Sequence, residues 1–500
     1  MNKNIKSGIY SVITVVTLTS VSISCDDFLA ENPNDRYVVD NFYSSQNDAS
    51  AATVAAYQVL YQLYTRRMYI MNDLPADDHK NGIGMPNQHL QDLEYLRHTS
   101  ENQFVREMWQ QCYSGISRAN TAIINIPKIN MDESLKNRFI AEARFLRALY
   151  YFNLVRFYGD VPLVLDVKTV EDAMMPRTPA ENVYMQIVED LKFAEENLPV
   201  AYKAELGRAT KGAAKILLGK VFLTRREYEN AVNKLAEVID NEAAYGYGLH
   251  DNYGDNWKVA TENGKEMVLA LEFMEPPGIP NGEGSLAGPK YSIHNGGGVP
   301  GIIGANEADI PTVELYNQYA DNDTRKRVTF KLDYLSPKDN KIYTSRIPLF
   351  GKYWEEGEKI SGRSDVNTHI IRYADALLMY AEALNEAGQT DKALAYLNRI
   401  RARAFKTSNF NYQALNQVEL RTAIWNERRL ELAFEGHRWF DLVRTGRFVE
   451  TMKAHGMTEA RLAESNKTEI SANISERHTL YPIPQREIDL NKTLTQNPGF

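Results

Sequence analysis

The sequence predicts a mainly α protein: a tetratricopeptide-like helical-repeat scaffold with an irregular, loop-rich lobe inserted between repeats. Three observations carry that expectation. The stretch GAAKILLGKVFLTRREYENAVNKLAEVI spaces Leu218, Gly219, Phe222, Ala231, Leu235 and Val238 as a helix pair whose small residues let two helices touch. A second copy, YADALLMYAEALNEAGQTDKALAYLNRIR, repeats the register with Ala381, Leu384, Ala393, Leu397 and Ile400. Between them, residues 241–310 hold 13 of the 29 glycines, a density that forbids long helices and leaves loops with short strands.

From the N-terminus, the chain opens with Lys3 and Lys6, then a run from Ile9 to Ile23 that mixes Val, Ile and Leu with Ser and Thr. A membrane-spanning helix needs roughly 20 mostly apolar residues, so this shorter, hydroxyl-broken run reads as a secretory signal. Ser22 and Ser24 lead into Cys25, and the segment resembles a bacterial lipobox, in which the cysteine becomes an acylated N-terminus. It departs from the commonest form at Ser22, where leucine is usual, and an ordinary signal with a chance cysteine is the alternative. Asp26 and Asp27 directly after Cys25 resemble the surface-export signal of Bacteroidetes lipoproteins.

The first long helical pattern, FIAEARFLRALYYFNLVRFYGDVPLVL, places Phe139, Phe145, Leu149, Phe152 and Leu154 on a broad apolar face before Gly159 and Pro162 end it. The expected organisation is a signal peptide over 1–24, a helical scaffold over 25–240, a variable loop-rich lobe over 241–365, and a C-terminal repeat with a closing segment over 366–500. An irregular insertion on a regular frame is where binding function sits most often, because loops vary without unfolding the frame.

Composition narrows the function classes. The chain has 500 residues, 43% of them hydrophobic, enough for a substantial core. Its formal charge is -8, and removing Lys3 and Lys6 with residues 1–24 brings it to -10. An acidic body excludes nucleic acid as the expected partner, since phosphate contact needs a basic face. With Cys25 lipidated only Cys112 remains, so no intrachain disulfide is expected, and Cys112 in MWQQCYSGI reads as a buried thiol.

Patterns for catalysis and metal binding are weak. NERRLELAFEGHRWFDLVR gathers Glu427, Glu431, Glu435, His437 and Asp441 among arginines, and the three glutamates share a helical face. Alternating charge at that density predicts an ion-pair network that fixes packing, rather than general acid/base work. No HExxH, GxSxG or P-loop pattern occurs, and Gly282, Gly284 and Gly288 do not have dinucleotide spacing. Asp77, His79 and Asn81 before Gly82 echo a calcium loop, but Gln88 stands where the bidentate glutamate belongs; His79, His89 and His98 do not have zinc spacing. No cofactor, no metal and no enzymatic activity are therefore expected.

Five segments carry a resemblance: AEARFLRALYYFNLVRFYGDVPLV, GRATKGAAKILLGKVFL, IRYADALLMYAEALNEAG, ERRLELAFEGHRWFDLVRTG and LYPIPQREIDLNKTLTQNPGF. In these, from near residue 25 to residue 500, the chain resembles the SusD/RagB family of Bacteroidetes. The resemblance implies an outer-membrane, surface-exposed lipoprotein, anchored through Cys25, that binds nutrient, usually an oligosaccharide, and hands it to a SusC-like TonB-dependent transporter. RagB-like members are associated with peptide uptake, so a peptide is the alternative cargo, and a tetratricopeptide protein-interaction scaffold is the rival class.

A sugar site needs flat rings for the C–H faces of a pyranose and polar groups for its hydroxyls. Trp109, Trp425 and Trp439 lie in helical registers and are expected to pack. Trp257, Tyr291 and Trp354 lie in or just after the irregular lobe, with Asp255, Asn256, His294 and Asn295 nearby. By family analogy a second wall comes from NDLPADDHKNGIGMPNQHL, so the expected ligand-binding set is Trp257, Tyr291, His294, Trp354, Asp77, Asp78 and His79.

Overall fold

A computed structural model describes residues 42–81, 87–166, 169, 172, 174–274, 310–336, 338–354, 364–462 and 472–500. The expected signal segment with Cys25, Asp26 and Asp27, the glycines at 282, 284 and 288, and the expected site residues Tyr291 and His294 lie outside the described residues.

The frame is built from helices that start on strong caps. Helix α1 (Gln46–Gln62) begins in a capping box between Ser45 and Asp48, and α2 (Gln103–Asn125) begins where the Asn102 side chain accepts from the Phe104 and Val105 amides. Asp132 caps α3 (Glu133–Tyr158), and Gly159, at φ +71°, ends it in a conformation other residues rarely adopt. Then follow α4 (Ala180–Asn197), α5 (Lys211–Thr224) and α6 (Tyr228–Ile239). After the lobe come α7 (Tyr373–Glu386), α8 (Thr390–Phe405), α9 (Gln417–Glu431), α10 (Arg438–Arg444) and α11 (Phe448–Leu462).

Each of α1 to α8 packs on the next in sequence, and α9 packs on α7, as in a stacked repeat array. The two expected pairs, α5–α6 and α7–α8, are neighbours in space because α6 packs directly on α7. The chain between them is therefore an excursion from a continuous scaffold. Its contacts follow the predicted register: Ala231, Leu235 and Val238 are buried, as are Ala381, Leu384, Ala393, Leu397 and Ile400.

Three two-stranded antiparallel sheets occur among the described residues. The first pairs β1 (His79–Lys80) with β3 (Ile310–Pro311) and the second pairs β2 (Met267–Leu271) with β6 (Thr368–Arg372). The third is the hairpin of β4 (Phe330–Leu335) and β5 (Ile342–Phe350). Strand β6 runs straight into α7, and the Tyr373 amide donates to the Glu266 carbonyl at 2.8 Å, which ties the lobe to the start of the second repeat. The closing segment returns to the first half of the chain. There the Tyr481 amide donates to the Phe157 carbonyl, and the Asn497 side chain donates to the carbonyls of Tyr158 and Tyr481.

One large apolar core runs through the scaffold and takes in Trp109, Cys112 and Trp439, as their helical registers predict. Trp425 is half-buried, with the Arg447 guanidinium 4.0 Å from its ring centroid.

Candidate functional site

The acidic motif at the end of α9 is an ion-pair network. Glu431 accepts from three arginines: Arg325 at 3.1 Å, Arg372 at 2.8 Å and Arg403 at 2.5 Å. Glu435 accepts from Lys352 at 2.6 Å and from Arg372 at 2.9 Å, while Glu427 forms an ion pair with Arg325 at 2.7 Å and accepts from Arg401 at 2.8 Å. Against the cost of burial, the cations Arg403, Arg372 and Arg325 hold the Glu431 carboxyl down to about 2, and Arg372 and Lys352 hold Glu435 well below the usual carboxylate range. Acids this firmly ionised have no proton to give near neutrality, where a general acid must work. What the network does is join β6, α8, α9 and the lobe residues Arg325 and Lys352 around one set of carboxylates.

A second network occupies residues expected to form a binding wall. Asp77 and Asp78 are 2% and 1% exposed, and His79 is 1% exposed. Arg438 grips Asp77 with two bonds of 2.7 and 2.8 Å, and Arg429 reaches Asp78 at 2.6 Å and Asp77 at 2.9 Å. His79 lies against the rings of Phe350, at 4.5 Å, and Phe434, at 5.6 Å. A buried carboxylate is tolerable only when paired, and guanidinium groups from α9 and α10 take these oxygens. The three residues are thus buried where the chain enters β1, not on an exposed surface.

Trp257 is likewise in the core. It is 5% exposed, meets Tyr253 edge to face at 4.7 Å, and has the Lys352 ammonium 4.6 Å and the Arg372 guanidinium 5.5 Å from its ring centroid. Its ring covers the cationic side of the Glu431 network, which sequence separation hides. Asn256 is buried as well, while Asp255 is half-buried and holds Lys258 at 2.7 Å.

Trp354 has a different setting. It is half-buried, meets Tyr334 edge to face at 5.0 Å, and packs on the small cluster of Ile310, Tyr334 and Leu349. The Lys331 ammonium sits 5.4 Å from the Tyr334 centroid and 5.6 Å from that of Trp354. Because Ile310 pairs with Lys80, the sheet of β1 and β3 brings the end of the N-terminal polar stretch to this same corner, beside the β4–β5 hairpin. Half-buried Tyr343, whose hydroxyl donates to Asp339 at 2.8 Å, adds a further ring. Tyr334, Tyr343 and Lys331 were not singled out from sequence, although FKLDYL and IYTSRIPLF alternate as strands do.

Two family models match this chain: one described as the SusD family over residues 252–500, and one described as starch-binding associating with outer membrane over residues 27–223. The chain belongs to the SusD/RagB family. A SusD-like protein of Formosa agariphila is 28% identical over 526 residues, which cover 98% of this chain and 99% of the relative. The starch-binding protein SusD of Bacteroides thetaiotaomicron is 22% identical over 493 residues, 87% of this chain and 86% of that protein. Among solved structures, a SusD homolog from Bacteroides thetaiotaomicron superposes with a TM-score of 0.79 at 25% identity, covering 93% of this chain and 99% of that one. A laminarin-binding SusD-like protein gives 0.76 at 29% identity, with 92% and 100% covered. As a SusD-family member the protein associates with the outer membrane, and no helix among the described residues is long and apolar enough to cross it.

Proposed function

We propose that this SusD-family protein captures an oligosaccharide at the cell surface, without altering it, and delivers it to a SusC-like TonB-dependent transporter. Cys25 would carry the lipid anchor, and radiolabelled palmitate should enter the protein but not its Cys25→Ala variant. The observation that carries the binding assignment is Trp354, a half-buried ring fixed on Tyr334 beside Lys331 at the corner where β1 meets β3. An indole held in place loses little freedom when a sugar stacks on it, and its electron-rich face suits the polarised C–H groups of a pyranose. The laminarin-binding and starch-binding relatives support a glycan as cargo. The paired, ionised state of Glu431 and Glu435 supports capture without catalysis.

Calorimetry on the protein without its signal, against laminarin and starch oligosaccharides and a peptide panel, tests the reading. Binding of an oligosaccharide that is recovered intact, weakened about tenfold (~1.4 kcal/mol) in Trp354→Ala, is the expected result. Affinity unchanged in a folded Trp354→Ala variant would place the site elsewhere, peptide binding alone would replace the cargo, and a cleaved product would overturn the non-catalytic reading.

A further inference from the structure

A cavity of about 210 Å³ opens between α3, α5 and α10, lined among others by Arg156, Tyr184, Lys220, Arg428, His437 and Arg444. Three of its four cations have carboxylate partners. Asp375 accepts from Lys220 at 2.9 Å and from Arg428 at 2.8 Å, and Asp441 accepts from Arg428 at 3.1 Å and Arg444 at 2.9 Å. Glu382 takes the remaining end of Arg444.

Arg156 is the exception. Its guanidinium lies between the rings of Phe152 and Phe440, 3.9 and 3.6 Å from their centroids. Nε donates to the Phe152 carbonyl at 3.0 Å and Nη2 to the Asn153 side chain at 2.7 Å. Nη1 donates to no described group, and among the described residues no carboxylate pairs with Arg156. Four cations thus meet three carboxylates whose oxygens are already engaged, leaving one half-buried positive charge without a carboxylate partner. Burial pushes the Arg156 group down to about 10, and it remains charged at neutral pH.

Other donors face the same space. The Tyr184 hydroxyl has no hydrogen-bond partner among the described residues, and Lys220, which bonds Asp375 and approaches His437 Nδ1 at 3.4 Å, keeps one N–H in reserve. Burial and Lys220 hold His437 down to about 3, so it is neutral and adds no further cation. The side chains of Thr224 and Thr479 are spent on the carbonyls of Lys220 and Glu476.

We propose that this cavity is a binding site for a small oxyanion such as inorganic phosphate or sulfate, held on Arg156 with Tyr184 and Lys220 as further donors. A guanidinium clamped flat by two rings has its free edge fixed, and a tetrahedral oxyanion offers acceptors in the geometry that edge requires. The occupant would complete the charge balance at the junction of α3 with α10. Thermal unfolding and calorimetry on the protein without its signal, titrated with phosphate or sulfate against chloride at constant ionic strength, test this. A saturable rise in Tm with either oxyanion is expected, with Kd raised at least tenfold in Arg156→Gln and at least threefold in Tyr184→Phe. The proposal is overturned if the wild type shows no saturable oxyanion binding, or if both variants bind as it does. If Arg156→Gln does not fold, Tyr184→Phe decides: unchanged affinity in that variant removes the site.

Discussion

Gly219 sits where α5 crosses α6, and a methyl group placed on it would lie 2.6 Å from Cγ and Cδ2 of Leu235. Two effects of Gly219→Ala oppose each other. In a helix interior the change gains up to about 1 kcal/mol of propensity. Overpacking costs about 1–3 kcal/mol, and here it falls on Cγ of Leu235, a branch point that cannot swing aside as a chain end would. The clash wins, so Gly219→Ala should lower Tm, as should Ala231→Leu one turn before Leu235 on α6; calorimetric scans in which both keep the wild-type Tm would mean that the helices lie farther apart. This contact was legible in the sequence because spacing along two helices fixes which residues meet. Trp257 was not legible in the same way. Its burial depends on Lys352 and Arg372, which arrive from the far side of the lobe, and a local reading of a glycine-rich stretch carries no trace of them.

At the level of elements, β6, α8 and α9 are held to the lobe by charge. Glu431 is fully buried and serves Arg325, Arg372 and Arg403, so losing its charge leaves these three guanidinium groups to Asp323, Glu427, Glu435 and Glu266, one buried negative charge short and with little water to turn to. Glu431→Gln keeps the shape and removes the charge; breaking a buried pair from one side costs about 3–5 kcal/mol. Urea unfolding should show a midpoint lowered accordingly, and an unchanged midpoint would mean that the arginines find other partners. The alternating charges of NERRLELAFEGHRWFDLVR announced a network, yet its cations other than Arg428, Arg429, Arg438 and Arg444 lie on elements the motif does not contain. The same reason explains Asp77 and Asp78. A polar stretch before a helix looks solvated until Arg429 and Arg438 are known to reach it. Helix pairing is thus written locally, whereas the division between buried acids and exposed corner is decided by long-range ion pairs.

Over the whole molecule, the closing segment is clasped to the N-terminal half by histidines held neutral. His98 lies 5.0 Å from the ring of Tyr481, 5.6 Å from that of His478 and 5.8 Å from that of Phe500. Burial, reinforced by His478 and Arg477, pushes His98 down to about 3; burial and Arg477 push His478 to about 4, and burial and Arg372 push His369 to about 4. In the unfolded chain each of these groups titrates near 6.5. Between about pH 6.5 and 4 the unfolded state therefore binds protons that the folded state refuses, so stability rises with pH across that window and falls as it is acidified. Each histidine contributes a slope approaching 1.4 kcal/mol per pH unit below its unfolded value, and these three with His437, itself held down to about 3, together give roughly 5.5 kcal/mol per unit, a large share of the 5–15 kcal/mol a folded protein commonly holds. Acid loss should begin well above the pH at which Glu431, held down to about 2, takes its proton. Tm should accordingly fall steeply from pH 6.5 to 5 at fixed ionic strength. His98→Leu, which keeps an apolar group against Tyr481 and Phe500, should flatten that fall by about a quarter. A Tm that is level from pH 7.5 to 5 would mean that these histidines take up protons without the fold opening.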